Sequence, residues 1–380
     1  MFCLKIAIVN HDFSLGGVQR VAVELAEGLV KLEGYCVTLI SFSGDDNFFY
    51  DVNAECKRKV NIAKRTFCEN LKFKLALKCY KLKQREVRIS SIYRNQLKGL
   101  ISILREEDFE CVILCQSDLA ALIPKIKAEL PSVKTIAWQH SDYEIYFTNP
   151  NYAKLYLTEY VKGLRIADHV VCLTKNDQKL FKRYNSNTSF IYNPLTLSTD
   201  KVSELTNNSI IFTGRLLIEP KGLDYFIQLV ELSPSAWKFR VAGEGSDAEM
   251  IKQIVKDKGL ASKIQFVGAL KGEELVKHYL SGDVFVSTSR WEGFGLVVTE
   301  AMKCGLPIIA FDNHGPREIL DKGKYGILIE RFSVEGMHKE LARLMGDYEL
   351  RRFYQERSLE RVEKFSLDLI TEEWRKVIEK

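Results

Sequence analysis

Twelve short, nearly all-apolar runs alternate with stretches of helical spacing, and this alternation constrains the chain more than any other feature. Six runs fall at 4–10, 36–42, 111–114, 134–138, 169–173 and 189–192; six more fall at 210–213, 239–242, 264–267, 284–286, 307–311 and 326–329. Between them, segments such as 18–32, 119–130, 152–165, 223–230, 247–258, 273–279 and 296–303 carry apolar residues three and four apart, the signature of amphipathic helices. Strands apolar on both faces and joined by helices demand parallel sheets covered on both sides. Two such blocks predict an α/β protein of two doubly wound domains. The seam is expected near 193–208, where Pro194, Ser198, Thr199, Asp200 and the pair Asn207-Asn208 interrupt the periodicity. The last stretch, 349–380, reads as helix with no further strand.

A length of 380 residues suits two domains. With 46% hydrophobic and 28% charged residues, disordered and fibrous classes are excluded. No apolar run approaches the roughly 20 residues that span a bilayer. The first apolar run is too short for a signal-peptide core. Nine cysteines at irregular spacings, without a C-x-x-C, suggest neither a disulfide framework nor a zinc site. A cytoplasmic protein is expected.

The net charge of +5 hides an asymmetry. Between Cys56 and Arg105, fifteen Lys and Arg face two acids, Glu69 and Glu86, so this stretch carries +13 and the rest of the chain −8. Such density implies an anionic surface nearby. Lys72, Lys74, Lys78 and Lys81 are interleaved with Leu71, Phe73, Leu75, Leu77 and Tyr80, which fits an amphipathic helix on an anionic leaflet. A solvated basic helix pair is the plainer reading. Nucleic acid is not favoured, since no recognised binding motif accompanies the charge.

In an open parallel sheet, ligands sit beyond the carboxyl ends of the strands. After the first strand, Gly16-Gly17 opens a helix, where backbone can approach a ligand and unpaired amides favour an anion. After 210–213 come Arg215 and Lys221, six residues apart, as a diphosphate clamp needs. After 239–242 comes the turn Gly243-Glu244-Gly245, and after 284–286 comes Glu292-Gly293-Phe294-Gly295-Leu296, leading to Glu300. On a continuous helix, Glu292 and Glu300 would stand about 12 Å apart, comparable to the span of a nucleoside diphosphate sugar from hexose to ribose. His140 follows the strand 134–138 and is a further candidate.

These residues resemble the family 4 glycosyltransferases of the GT-B fold. The resemblance covers nearly the whole chain and implies two Rossmann-like domains facing across a cleft: 1–195 on the acceptor side, with a basic helical insertion at 56–105, and 196–361 on the nucleotide-sugar side. Residues 362–380 would be a helix crossing back to the first domain. It implies transfer of a hexose-type sugar, with retention, from a nucleotide donor (UDP ahead of GDP) to a glycan or lipid-linked glycan in cell-surface polysaccharide assembly. Arg215 and Lys221 would bind the diphosphate, Glu300 the ribose and Glu292 the donor sugar. The amides of Gly293, Phe294, Gly295 and Leu296 lie alongside, Gly16 and Gly17 match the family's glycine pair, and His140 matches a histidine reaching the donor sugar. Gln19 departs from the glutamate many members carry there, which bears on the acceptor side.

Charge growing on the leaving phosphate would be stabilised by these prepositioned donors. No D-x-D occurs, so no bridging metal and no cofactor are expected. Peripheral attachment to the inner face of the cell membrane follows from the basic stretch. A GT-B-like epimerase or phosphorylase would need extra acid/base carboxylates or a cofactor-lysine motif, neither of which is found. A non-catalytic glycan-binding module would have no use for Glu292 and Arg215 together.

Overall fold

Runs such as Ile6-Ala7-Ile8-Val9 and Val112-Ile113-Leu114 have no polar side chain to offer water on either face, and all are fully buried. They become inner strands of parallel sheets. The computed structural model describes residues 3–83 and 85–380; the side chain of Lys81 lies outside the described set. The chain divides into two units. The first runs to Pro194 and includes Leu367–Lys380; the second is Leu195–Ser366.

The first unit holds β1 (Leu4–Asn10), β2 (Tyr35–Ser41), β3 (Lys57–Val60), β4 (Cys111–Cys115), β5 (Lys134–Trp138), β6 (His169–Cys172) and β7 (Thr188–Phe190). They form one parallel sheet of order β3-β2-β1-β4-β5-β6-β7. The second unit holds β8 (Ser209–Thr213), β9 (Lys238–Ala242), β10 (Ile264–Gly268), β11 (Val284–Ser287), β12 (Ile308–Phe311) and β13 (Ile327–Ile329), in the order β10-β9-β8-β11-β12-β13 and again parallel. Each unit is Rossmann-like, with the order reversing beside its first strand. That reversal opens a crevice at the carboxyl edge of each sheet.

The segment 56–105 is not purely helical: β3 lies at its start. It pairs with β2 from Thr38↔Lys57 to Ser41↔Val60 and forms the sheet's edge, where Lys57 and Arg58 are exposed. Charge on an edge strand discourages further pairing, and it also hides the strand from a reading based on apolar runs.

Helix Phe67–Lys83 starts at a capping box. The Thr66 amide donates to Glu69 Oε2 at 2.7 Å and the Glu69 amide to Thr66 Oγ1 at 3.2 Å, while Asn95 N–H donates to Glu69 Oε1 at 3.0 Å. This helix has two apolar stripes where a single amphipathic division was expected. Phe73, Ala76, Leu77 and Tyr80 pack on the core of the unit. Phe67, Leu71, Leu75 and Leu82 are exposed, Phe67 at 82% and Leu82 at 73%. At about 100° per residue these four fall within roughly 80° of one another. Lys74 stands at one side of that stripe, Lys72 and Lys83 at the other, and Lys78 falls within it, all exposed.

The terminal helix Leu367–Glu379 packs on helix Gly17–Val30 so closely that a Cβ on Gly28 would meet Thr371 Oγ1 at 2.1 Å. Trp374 meets Trp138 edge-on at 4.7 Å, and Lys134 Nζ caps the helix end at the carbonyls of Val377 (2.7 Å) and Ile378 (3.0 Å). A cation at a helix carboxyl terminus is favoured by the helix dipole. Cys3 and Cys36 form a disulfide, Cα atoms 5.9 Å apart. Their separation of 33 residues gives no spacing signal; the β1–β2 register brings them together.

Candidate active site

In the second unit three loops leave the carboxyl edge of the sheet after β8, β9 and β11, and they interlock through backbone. Gly214 N–H donates to Ala242 O at 3.0 Å, Leu216 N–H to Glu244 O at 2.9 Å and Gly243 N–H to Gly268 O at 2.8 Å. A Cβ on Gly243 would stand 1.8 Å from Gly214 O, so the glycine predicted to approach a ligand is already required by the approach of two loops. Gly222 plays the same part between the loops after β8 and β11. Its φ is +59° and a Cβ there would lie 2.0 Å from Thr288 O. Thr288 Oγ1 donates to Lys221 O at 3.0 Å, and Arg290 N–H to Pro220 O at 2.9 Å.

Arg290 ties these loops further. Its guanidinium grips Asp224 through two bonds (2.8 and 2.6 Å), donates to the carbonyls of Ile218 and Glu219 (3.1 Å each) and stacks 4.3 Å from the ring of Tyr225. Burial would raise the Asp224 pKa, but the bonds and charge of Arg290 outweigh it and hold the carboxyl below its ordinary value. The fork geometry matches a carboxylate and leaves this arginine committed to structure. The sequence reading passed over it.

On this frame Lys221 Nζ donates to Glu292 Oε2 at 2.5 Å, with side chains only 15% and 19% exposed. Ser289 Oγ donates to the same oxygen at 3.3 Å. Arg215 differs. It is exposed and has no side-chain hydrogen bond or ion pair among the described residues. The loop thus presents one committed and one uncommitted cation.

Glu292 does not lie on a helix with Glu300. The helix starts at Leu296, because Gly295 (φ +110°) turns the chain just before it. The separation of about 12 Å reckoned along a continuous helix therefore does not apply. Gly293 and Phe294 complete the loop between Glu292 and that helix. Val298 N–H bonds back to Gly295 O at 2.9 Å; the first-turn amides at Leu296 and Val297 have no intrahelical acceptor and form an anion-favouring end. Glu300 sits in the second turn of this helix, 2% exposed. Its Oε1 accepts from Thr196 Oγ1 and its Oε2 from Tyr279 Oη, both at 2.7 Å. Thr196 and Tyr279 were not foreseen. The two hydroxyls thus fix both oxygens of the Glu300 carboxylate.

In the first unit, Gly16 precedes helix Gly17–Val30, and its N–H and C=O both meet Tyr50 Oη at 3.3 Å. Gln19 reaches back to Asp12 Oδ1 (3.2 Å), and its Oε1 would stand 2.3 Å from a Cβ on Gly16. His140 follows β5. Its backbone N–H donates to Tyr146 Oη at 2.9 Å, and its ring lies 4.3 Å from Trp138. Both ring nitrogens are buried and without a hydrogen-bond partner. Burial lowers the imidazole pKa to about 3, so it is neutral at ordinary pH. A buried polar group left unsatisfied is costly unless something else completes it. Of the four lysines expected to contact a membrane, Lys72, Lys74 and Lys78 are exposed on helix Phe67–Lys83. The side chain of Lys81 falls outside the described residues.

Comparison with known proteins gives the same picture from another direction. Residues 15–199 match the family model described as Glycosyltransferase Family 4, and residues 197–361 match that described as Glycosyl transferases group 1. An uncharacterised glycosyltransferase of Haemophilus influenzae is 26% identical over 372 residues, 96% of this chain and 97% of that one. A poly(ribitol-phosphate) alpha-N-acetylglucosaminyltransferase of Staphylococcus aureus is 32% identical over 165 residues, 42% of this chain and 33% of the relative. Among solved structures, a mutant of S. aureus TarM in complex with fondaparinux, alpha-GlcNAc-glycerol and UDP shares the fold. Its TM-score is 0.77 at 18% identity, over 99% of this chain and 100% of that one.

Proposed function

The chain belongs to the family 4 glycosyltransferases of the GT-B fold, and from that premise we propose that it moves a hexose-type sugar from a nucleoside diphosphate donor to a glycan or lipid-linked glycan, with retention at the anomeric carbon. The observation that carries the donor assignment is the second unit's edge. There Lys221, Glu292, uncommitted Arg215 and the amide end of helix Leu296–Lys303 are held on one backbone-locked frame. Cations and helix-end amides suit a diphosphate; a carboxylate beside them suits sugar hydroxyls. UDP is the proposed nucleotide, in keeping with the UDP bound in the TarM complex.

Arg215, Lys221 and the helix-end amides stabilise charge on the departing phosphate, a contribution on the scale of an oxyanion hole. Glu292, oriented by Lys221 and Ser289, accepts from donor-sugar hydroxyls rather than attacking carbon. A double displacement would need a second carboxylate about 5 Å away as its acid partner. Instead, the acceptor oxygen attacks from the face the phosphate leaves, and the phosphate oxygen takes its proton. Neutral His140, on the first unit, offers its ring to substrate for hydrogen bonding. With two cations supplied by the protein, the transfer runs without a metal.

The second apolar stripe of helix Phe67–Lys83, flanked by Lys72, Lys74 and Lys83 and interrupted by Lys78, supports docking on an anionic membrane: the leucines enter the headgroup boundary and the lysines meet lipid phosphates. The inner face of the cell membrane is the proposed location. The direct test is incubation with UDP-, GDP- and dTDP-hexoses, scoring sugar release and thermal shift with and without EDTA. Release from a UDP-hexose that survives EDTA is the expected result. No response to any nucleotide sugar refutes the donor assignment, and abolition by EDTA refutes the metal-free transfer.

A further inference from the structure

The first unit carries a second polar cluster at the carboxyl edge of its sheet, and the donor reading does not use it. β1 and β4 are neighbours, with Val9 opposite Leu114, so the residues just beyond them emerge side by side. His11 follows β1, and Asp118 lies three residues past β4. His11 Nδ1 stands 4.0 Å from Asp118 Oδ2, with the side chains 30% and 16% exposed. The Tyr93 hydroxyl lies beside the same carboxylate. The imidazole is held beside the rings of Phe42 and Tyr93, with centroids 6.1 and 5.8 Å away, and its backbone N–H donates to Asn10 Oδ1 at 2.9 Å.

The remaining charged and titratable neighbours are few. Asp12 is next in the chain, Arg65 lies 5.5 Å from the Tyr93 ring, and Tyr156 meets Ser117 Oγ at 2.8 Å. Nδ1 is buried without a hydrogen bond; Nε2 is not among the buried unpaired atoms, and it occupies the opposite side of the ring.

Asp118 and the two aromatic rings fix the imidazole from the Nδ1 side and turn Nε2 the other way, toward a ligand. That is more order than a packed histidine needs. We propose that His11, positioned by Asp118 and Tyr93, binds a hydroxyl of the sugar or polyol acceptor through Nε2. This rests on the glycosyl-transfer reading above. The hydroxyl concerned is one the acceptor keeps, since the attacking hydroxyl gives its proton to the phosphate. Losing one such hydrogen bond, at about 0.5–1.5 kcal/mol, corresponds to roughly a two- to tenfold rise in acceptor KM.

The test uses the side-chain geometry of the two amides. Asparagine places its amide where Nδ1 was, and glutamine places it where Nε2 was. Transfer from a UDP-hexose to a panel of p-nitrophenyl hexosides is measured for wild type, His11→Ala, His11→Asn and His11→Gln, with UDP affinity by calorimetry. The expected result is unchanged UDP affinity, acceptor KM raised several-fold in the Ala and Asn variants, and KM close to wild type in the Gln variant. Rescue by Asn instead of Gln would show a merely structural partner of Asp118 and overturn the assignment. So would unchanged KM in all three variants, or a wild type that consumes donor but accepts no hexoside. A wild type that neither binds UDP nor consumes a UDP-hexose refutes the transferase reading itself, a separate outcome.

Discussion

Lys221 and Arg215 lie on one loop, yet the structure separates what their removal should do. Lys221 is bonded at 2.5 Å to a carboxylate that is itself mostly buried, whereas Arg215 is exposed and bonds nothing among the described residues. Lys221→Ala strands Glu292, and leaving a poorly solvated acceptor without its partner costs about 1–3 kcal/mol. Each kcal/mol shifts the melting temperature of a domain of this size by about 2–4 °C, so a loss of roughly 2–12 °C is expected. Arg215→Ala removes no native contact and should stay within about 0.5 kcal/mol, a degree or two. Turnover should fall by about two to three orders of magnitude in both, the scale of losing a donor to a developing oxyanion. Adding Glu292→Gln to Lys221→Ala should recover part of the lost stability but no activity, because a neutral amide does not need the cation. Thermal unfolding beside single-turnover transfer from a UDP-hexose reads all four proteins. The reasoning is refuted if Arg215→Ala melts as early as Lys221→Ala, or if Lys221→Ala, folded by circular dichroism, turns over at the wild-type rate.

Glu300→Gln should weaken UDP binding, because the carboxylate that Thr196 and Tyr279 orient is the proposed ribose contact, while Glu292→Gln should lose rate and keep UDP affinity; calorimetry showing equal losses would contradict the split. Gly243→Ala should destabilise by at least about 2 kcal/mol, since its Cβ would stand 1.8 Å from a backbone oxygen that cannot yield cheaply, and an unchanged melting curve would count against the interlocked loops. Burial lowers the His140 pKa to about 3, so over the window from its unfolded value near 6.5 down to about 3 the unfolded chain binds a proton that the folded chain does not, and stability is lost as pH falls. His140→Gln removes that term, so the wild-type melting temperature should drop relative to the variant's between about pH 6.5 and pH 4; parallel curves would show that the ring is not desolvated. Leu71→Glu and Leu75→Glu, together with Lys72→Glu and Lys74→Glu, should release the protein from vesicles containing anionic lipid, with wild-type binding weakening as salt screens charges within about 8–10 Å; identical pelleting of both proteins would mean the stripe is a solvated surface.

The inner strands were legible to within a residue or two because each is apolar on both faces: 4–10 and 134–138 match β1 and β5 end for end. The motif loops were legible for a related reason, since ligand-bearing loops must follow strands in a parallel sheet and the strands were already placed. What sequence periodicity cannot carry is which distant atoms meet. β3 was hidden because an edge strand of Lys-Arg-Lys has no apolar pattern. Glu292 was put on a helix because spacing does not reveal that Gly295 starts the helix at Leu296. The second apolar stripe of helix Phe67–Lys83 became visible only when Phe73, Leu77 and Tyr80 had taken the core-facing side. Lys221 with Glu292, Thr196 and Tyr279 with Glu300, Cys3 with Cys36, and His11 with Asp118 are separated by 71, 104 and 21, 33, and 107 residues. Local pattern fixes a residue's element and face. Only strand register and close loop packing bring such partners within bonding distance, and these depend on the whole sheet having formed.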